Sequence, residues 1–178
     1  MTAVMVMSLV ADGCNNSTKT PPVSGSALAD SADQVMYGAR FNLTDQGVLH
    51  AQLLADTAYF FDDNTRVELM HVNSTFYTST GVKNAVLTSR RGTYHTGTGM
   101  MLARGAVVVN STDGRTLKSE ELKYDQGRNE ISSDSAFVLT EPNRRLEGIG
   151  FRCDPNLQNV HVLKTLSGTA GAVTIPNQ

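Results

Sequence analysis

The chain has 178 residues, 40% hydrophobic and 18% charged, with 15 Lys+Arg against 17 Asp+Glu for a formal net charge of −2. That is enough apolar side chain for one packed domain, and too little net charge for a disordered polyelectrolyte or for a nucleic-acid binder, which carries a basic face. No apolar run reaches the roughly 18 residues that cross a bilayer as a helix, and Cys14 and Cys153 are too few for a disulfide scaffold.

Thr2 to Ala11 is apolar apart from Thr2 and Ser8, and it stops at Asp12-Gly13-Cys14. A short apolar stretch before small residues has the form of an export signal, and a cysteine directly after it suggests a lipoprotein anchor acylated on Cys14. Residues 1–14 are therefore expected to be an address rather than part of the fold. The alternative is a weakly apolar terminus with an incidental cysteine, since no Lys or Arg precedes Lys19. Residues 15–34 are polar and turn-rich, with Asn15-Asn-Ser-Thr-Lys-Thr-Pro-Pro22 and Ser24-Gly-Ser26, a composition that reads as a flexible linker. The folded domain is expected over 35–164, with 165–178 as a loose tail of small residues.

Within 35–164, turn signals recur at Asp45-Gln-Gly47, Asp62-Asp-Asn64, Ser79-Thr-Gly81, Thr112-Asp-Gly114, Asp125-Gln-Gly127 and Glu141-Pro-Asn143. Asp, Asn and Gly accept left-handed backbone, and Pro pre-sets a turn. Between the turns lie runs such as Val67-Glu-Leu-Met-His-Val72, Val107-Val-Val109, Phe137-Val-Leu139 and Val160-His-Val-Leu163. Short strands at regular spacing predict an all-β sandwich, barrel or solenoid. Ala51-Gln-Leu-Leu-Ala55 is the only helical candidate and is too short.

A pattern recurs over these strands at about thirty residues. Leu87-x-Ser89-x-x-Gly92-x-Tyr94 returns as Leu117-x-Ser119-x-x-Leu122-x-Tyr124, with further copies expected at Leu146-x-Gly148-x-x-Phe151 and Leu49-x-Ala51-x-x-Leu54. In a regular strand, positions i and i+2 share a face while i+5 lies opposite. For Leu117, Ser119 and Leu122 to share an interior, the strand must bulge or turn a corner between Ser119 and Leu122, and a small residue suits such a corner. Stacked copies would build two facing sheets with an apolar seam between them.

Catalytic signatures do not emerge. His50, His71, His95 and His161 lack metal-ligand spacing, and there is no nucleophile elbow or phosphate loop. The glycine-rich run Gly92–Gly99 precedes a strand rather than a helix, so it reads as a bend. Glu120 and Glu121 are adjacent and would face opposite ways on a strand, which argues against a glycan hydrolase. Arg90-Arg91 and Arg144-Arg145 read as surface charge. No enzymatic activity, cofactor or metal is expected.

The ordered run Thr112-Asp-Gly-Arg-Thr-Leu-Lys-Ser-Glu-Glu-Leu-Lys-Tyr-Asp125, the strand at Ile131, Phe137-Val-Leu139, and Leu146-Glu-Gly-Ile-Gly-Phe151 with Asp154 together resemble the LptA/OstA-like β-jellyroll family of lipopolysaccharide export, and within it the LptC branch. The resemblance implies a V-shaped pair of antiparallel sheets open along one side, the lipid A acyl chains of lipopolysaccharide held in the apolar seam, and no hydrolysis. It also implies a periplasmic location at the inner membrane, where one edge strand docks on the ATP-driven ABC transporter complex and the other on an LptA-like bridge protein. The family's usual anchor is one transmembrane helix; here either a lipid anchor on Cys14 replaces it or the start of the chain is misassigned. The groove is expected to be lined by Leu69, Val109, Leu117, Leu122, Tyr124, Phe137, Leu139, Leu146 and Phe151. The alternative is a structural or adhesive β-sandwich lipoprotein, in which the same side chains fill a closed core.

Overall fold

The structure, a computed structural model, describes residues 27–45 and 47–170. A single helical turn, α1 (Ala27–Ser31), precedes nine strands: β1 (Gln34–Asp45), β2 (Val48–Phe61), β3 (Arg66–Tyr77), β4 (Lys83–His95), β5 (Met100–Ser111), β6 (Thr116–Asp125), β7 (Glu130–Glu141), β8 (Arg144–Cys153) and β9 (His161–Ala170). They form one antiparallel sheet in the order β1 to β9, so each strand pairs only with its neighbours in sequence. Among the described residues β1 and β9 are free edges, and the sheet does not close into a barrel. Each of the expected turn signals lies at a hairpin between successive strands. In the β2–β3 turn Asp62, Asp63 and Asn64 all take positive φ, between 54° and 65°, as short polar side chains allow.

Two boundaries differ from the sequence reading. The turn α1 falls inside the stretch read as linker, and β9 carries the sheet through Ala170, into the stretch read as a loose tail. Residues 15–26 and 171–178, and Cys14 with the whole of 1–14, lie outside the described residues.

Every strand is interrupted near its middle. The pairing passes over Gly38, Asp56, His71 and Arg90 in β1 to β4. It then shifts between Thr88 and Arg91, Arg104 and Val107, Ser119 and Lys123, Ser133 and Ala136, and Glu147 and Gly148. These irregularities line up across the sheet as one crease. The crease divides the sheet into two leaves, one formed by 39–45, 48–55, 72–77, 83–89, 107–111, 116–119, 137–141, 144–148 and 165–170, the other by the opposite ends of the same strands. All cross-strand pairs join residues of the same leaf.

Burial follows the crease. In β3, Val67 and Leu69 are buried, then Val72, Ser74 and Phe76, so the inward face changes parity at His71, which has φ 51°. In β6, Leu117 and then Leu122 and Tyr124 are buried, which is the corner the Leu-x-Ser-x-x-Leu spacing demands. The same inward spacing occurs in β2 at Leu53, Ala55, Ala58 and Phe60. It is therefore displaced from the copy expected at Leu49, Ala51 and Leu54, where Leu54 is only half-buried while Leu53 is fully buried.

Both leaves turn their apolar sides to one core. The ring contacts show it, because each joins opposite leaves: Phe41 to Phe60 at 6.2 Å, Phe41 to Tyr94 at 6.3 Å, Phe76 to Tyr124 at 5.3 Å and Phe137 to Phe151 at 4.9 Å. Tilted and edge-on pairs of this kind contribute roughly 0.5–1.5 kcal/mol each beyond their buried area.

Candidate functional site

The seam between the leaves is the site the sequence points to. Leu69, Val109, Leu117, Leu122, Tyr124, Phe137, Leu139 and Phe151 all face it, each no more than 3% exposed. Leu146 packs against the same cluster and is half-buried. Strand alternation on each leaf, together with a parity change at the crease in β3, β6 and β8, brings these residues from β3 and from β5 to β8 onto one interior surface. Sequence reasoning missed Val72, Phe76, Leu87, Met101 and Ala103, which line the seam with them. The signal was there in β3, where Val72, Ser74 and Phe76 alternate with polar residues.

The seam is filled in this conformation. Its internal cavity measures about 20 Å³ and is lined by Leu69, Val72, Ser74, Phe76, Leu87, Leu122 and Tyr124, among others. That is room for one water molecule and not for a hydrocarbon chain. Ser74 Oγ is buried there with no hydrogen-bond partner among the described residues.

Outside this cavity lies a second, open one of about 250 Å³, between the rims of the two leaves. His50, Tyr77, Thr78 and Ser79 line it from one rim, and Asn129, Pro155 and Asn156 from the other. Phe76 and Tyr124 belong to the walls of both cavities. Their rings meet edge to face at 74°, so the pair is the partition between a polar vestibule and the apolar interior. The Tyr124 hydroxyl lies 3.3 Å from Asn129 Oδ1.

The β8–β9 connection, residues 154–160, starts and ends on one rim and reaches over to the other. Asp154 organises it: its carboxylate accepts from the Asn156 amide at 3.0 Å, the Gln158 amide at 2.9 Å and Asn159 Nδ2 at 3.2 Å. Leu157 and Asn159 take positive φ, 56° and 51°, and the turn pushes Leu157 into the core, where it is 1% exposed. On the far rim the Asn84 side chain donates to Asn156 Oδ1. Arg115 Nη1 donates to the Asn156 and Leu157 carbonyls at 3.3 and 3.5 Å. The same guanidinium is fixed by Asp113 at 3.0 Å and Glu141 at 3.3 Å. A further rim contact joins Gln126 Nε2 to the Thr44 carbonyl at 3.2 Å.

Cys153, beside this connection, is a buried free thiol. Burial, with smaller contributions from the Asp154 and Glu130 charges, pushes its pKa up to about 12. The thiolate is the reactive form, so iodoacetamide at pH 8 should leave Cys153 unmodified in the folded protein and modify it fully in denaturant, as read by mass spectrometry. The sign for stability follows. The unfolded thiol ionises near 9.0 and the folded one near 12, so the thiol's share of stability is complete below pH 9 and falls by roughly 1.4 kcal/mol per pH unit toward pH 12.

Glu121, one of the two adjacent carboxylates, is bound to Arg104 at 2.8 Å, while Glu120 is exposed. Among the described residues no group of His, Cys, Asp and Glu could hold a metal ion, and no helix is long and apolar enough to cross a membrane. In comparison with known proteins, the family model described as lipopolysaccharide-assembly, LptC-related, matches residues 2–170. No curated protein matches the chain.

Proposed function

The chain belongs to the LptC-related lipopolysaccharide-assembly family, and from that premise we propose that it carries lipopolysaccharide across the periplasm by sheathing the lipid A acyl chains between its two leaves. In this reading the creased sheet is a two-walled, V-shaped β-jellyroll whose hairpin-sized unit recurs every thirty or so residues. The observation that carries the reading is that all strand pairing lies within a leaf. Parting the leaves about the crease therefore breaks no ladder hydrogen bond. It costs the apolar contacts of the seam and the bonds at the rim. An inserted acyl chain offsets that loss at about 0.8 kcal/mol per methylene, or roughly 8 kcal/mol for ten of them.

The lining would be Leu69, Val109, Leu117, Leu122, Tyr124, Phe137, Leu139, Leu146 and Phe151. None of them is charged, so the fatty tails supply the binding energy and the anionic head stays outside. The free edges supply the docking surfaces. Unpaired edge strands invite strand addition, and both edges carry exposed apolar side chains, Met36 and Tyr37 on β1 and Leu163 and Leu166 on β9. One edge would meet the inner-membrane ABC transporter complex and the other an LptA-like periplasmic bridge protein, with Cys14 as a lipid anchor. The protein positions and passes on a lipid; it hydrolyses nothing.

The test is photocrosslinking in living cells. Benzoylphenylalanine at Phe151, an aromatic exchange, or at Met101, which is only partly buried and lines the cavity, should give adducts with lipopolysaccharide. The competing reading, a structural or adhesive β-sandwich with a permanently closed core, requires that neither position give one.

A further inference from the structure

Resting on the reading above, we infer that residues 154–160 form a releasable strap over the mouth of the seam, and that the Phe76–Tyr124 pair beneath the strap is the door through which an acyl chain enters. The vestibule offers hydroxyl, amide and imidazole groups from Thr78, Ser79, Asn129, Asn156 and His50. Behind it, past one pair of rings, lies an apolar interior. A polar antechamber opening onto an apolar cavity suits an amphiphile, with the polar head held outside while the hydrocarbon chain passes the rings.

Of the hydrogen bonds between the rims that opening must break, the strap accepts three, against the one that Gln126 donates to Thr44. The strap is built to be both specific and weak. Asn84 and Arg115 hold it by neutral acceptors, the Asn156 side chain and two backbone carbonyls. The Asn84 bond contributes little net stability, since water replaces it on release, and the two Arg115 bonds, though from a charged donor, are long at 3.3 and 3.5 Å. Leu157 is its most deeply inserted apolar side chain, with Pro155 also buried and Val160 packed against the same core. The strap's own turn is tied internally by Asp154, so it can leave the far rim as a unit without unravelling.

The experiment uses the full chain with Cys14→Ser, Asn84→Cys and Asn156→Cys, carrying benzoylphenylalanine at position 101. Cys153 stays in place, buried and unreactive. A short bis-methanethiosulfonate reagent bridges the rims, and a reductant removes it. Adduct formation with lipopolysaccharide vesicles is followed over time under ultraviolet light. The bridged protein should form adducts at least tenfold more slowly than the same protein after reduction. Arg115→Ala, checked for an intact fold by thermal melting, should form them severalfold faster than wild type. Equal rates before and after reduction, or no acceleration in Arg115→Ala, would overturn the strap while leaving lipid transport standing. No adduct from either the bridged or the reduced form, while wild type with the same crosslinker also gives none, removes the transport reading and the strap with it.

Discussion

Replacing Phe151 by alanine should lower the unfolding free energy by about 3–5 kcal/mol, the loss seen when a large aromatic leaves a packed core. Phe151 is 0% exposed and its ring meets Phe137 across the crease at 4.9 Å. It sits between Ser133 on β7 and Val162 on β9, so neither neighbour can collapse into the space without disturbing a ladder. Urea denaturation reads the change. The transport reading adds a second expectation. The vacated volume is apolar and of a kind that hydrocarbon fills, so lipopolysaccharide should raise the melting temperature of Phe151→Ala more than that of wild type. A loss below about 1 kcal/mol would mean that the seam closes around the missing ring, and that its lining is far more fluid than the contacts imply.

Gly148→Val should cost about 3 kcal/mol, the upper part of the range for overpacking, and should loosen β9 before the rest. A Cβ at position 148 would lie 2.7 Å from the Lys164 carbonyl oxygen, 2.8 Å from Phe137 Cε1 and 2.9 Å from Val162 Cγ1. The carbonyl belongs to the backbone of β9, which pairs through Gly148 with Thr165 and through Ile149 with Lys164. It cannot retreat without breaking those pairs. Amide exchange should quicken in 161–170 more than in β3 and β4. Wild-type stability for this variant would mean that β9 is free to shift, and that the small residue at this corner has no steric cause.

How much of this was written in the residues depends on which strand is read. The corner in β6 was legible because Leu117, Ser119 and Leu122 cannot share one face of a regular strand. In β2 the same logic had two solutions, since Leu49, Ala51, Leu53, Leu54 and Ala55 offer apolar side chains at both parities. Burial selects Leu53 and Ala55. In β5 and β7 the crease leaves no mark in the pattern. The interruption there spans enough residues that Ala103 and Val107, or Ser133 and Phe137, keep the same parity. The seam residues were legible as inward side chains, because alternation and size suffice for that. The strap was not. It depends on Asn84 meeting Asn156, 72 residues away, and on Leu157 adopting a left-handed backbone, and neither follows from local preference.

The strict neighbour-to-neighbour order of the strands has a kinetic consequence. Each hairpin needs only the one before it as a template, so loop-closure costs stay small at every step and native structure can propagate along the chain. An all-β protein of this size would ordinarily be slow to find distant partners. This one can zip up as it emerges, already registered strand on strand, with its terminal ladder ready to template whatever strand comes next.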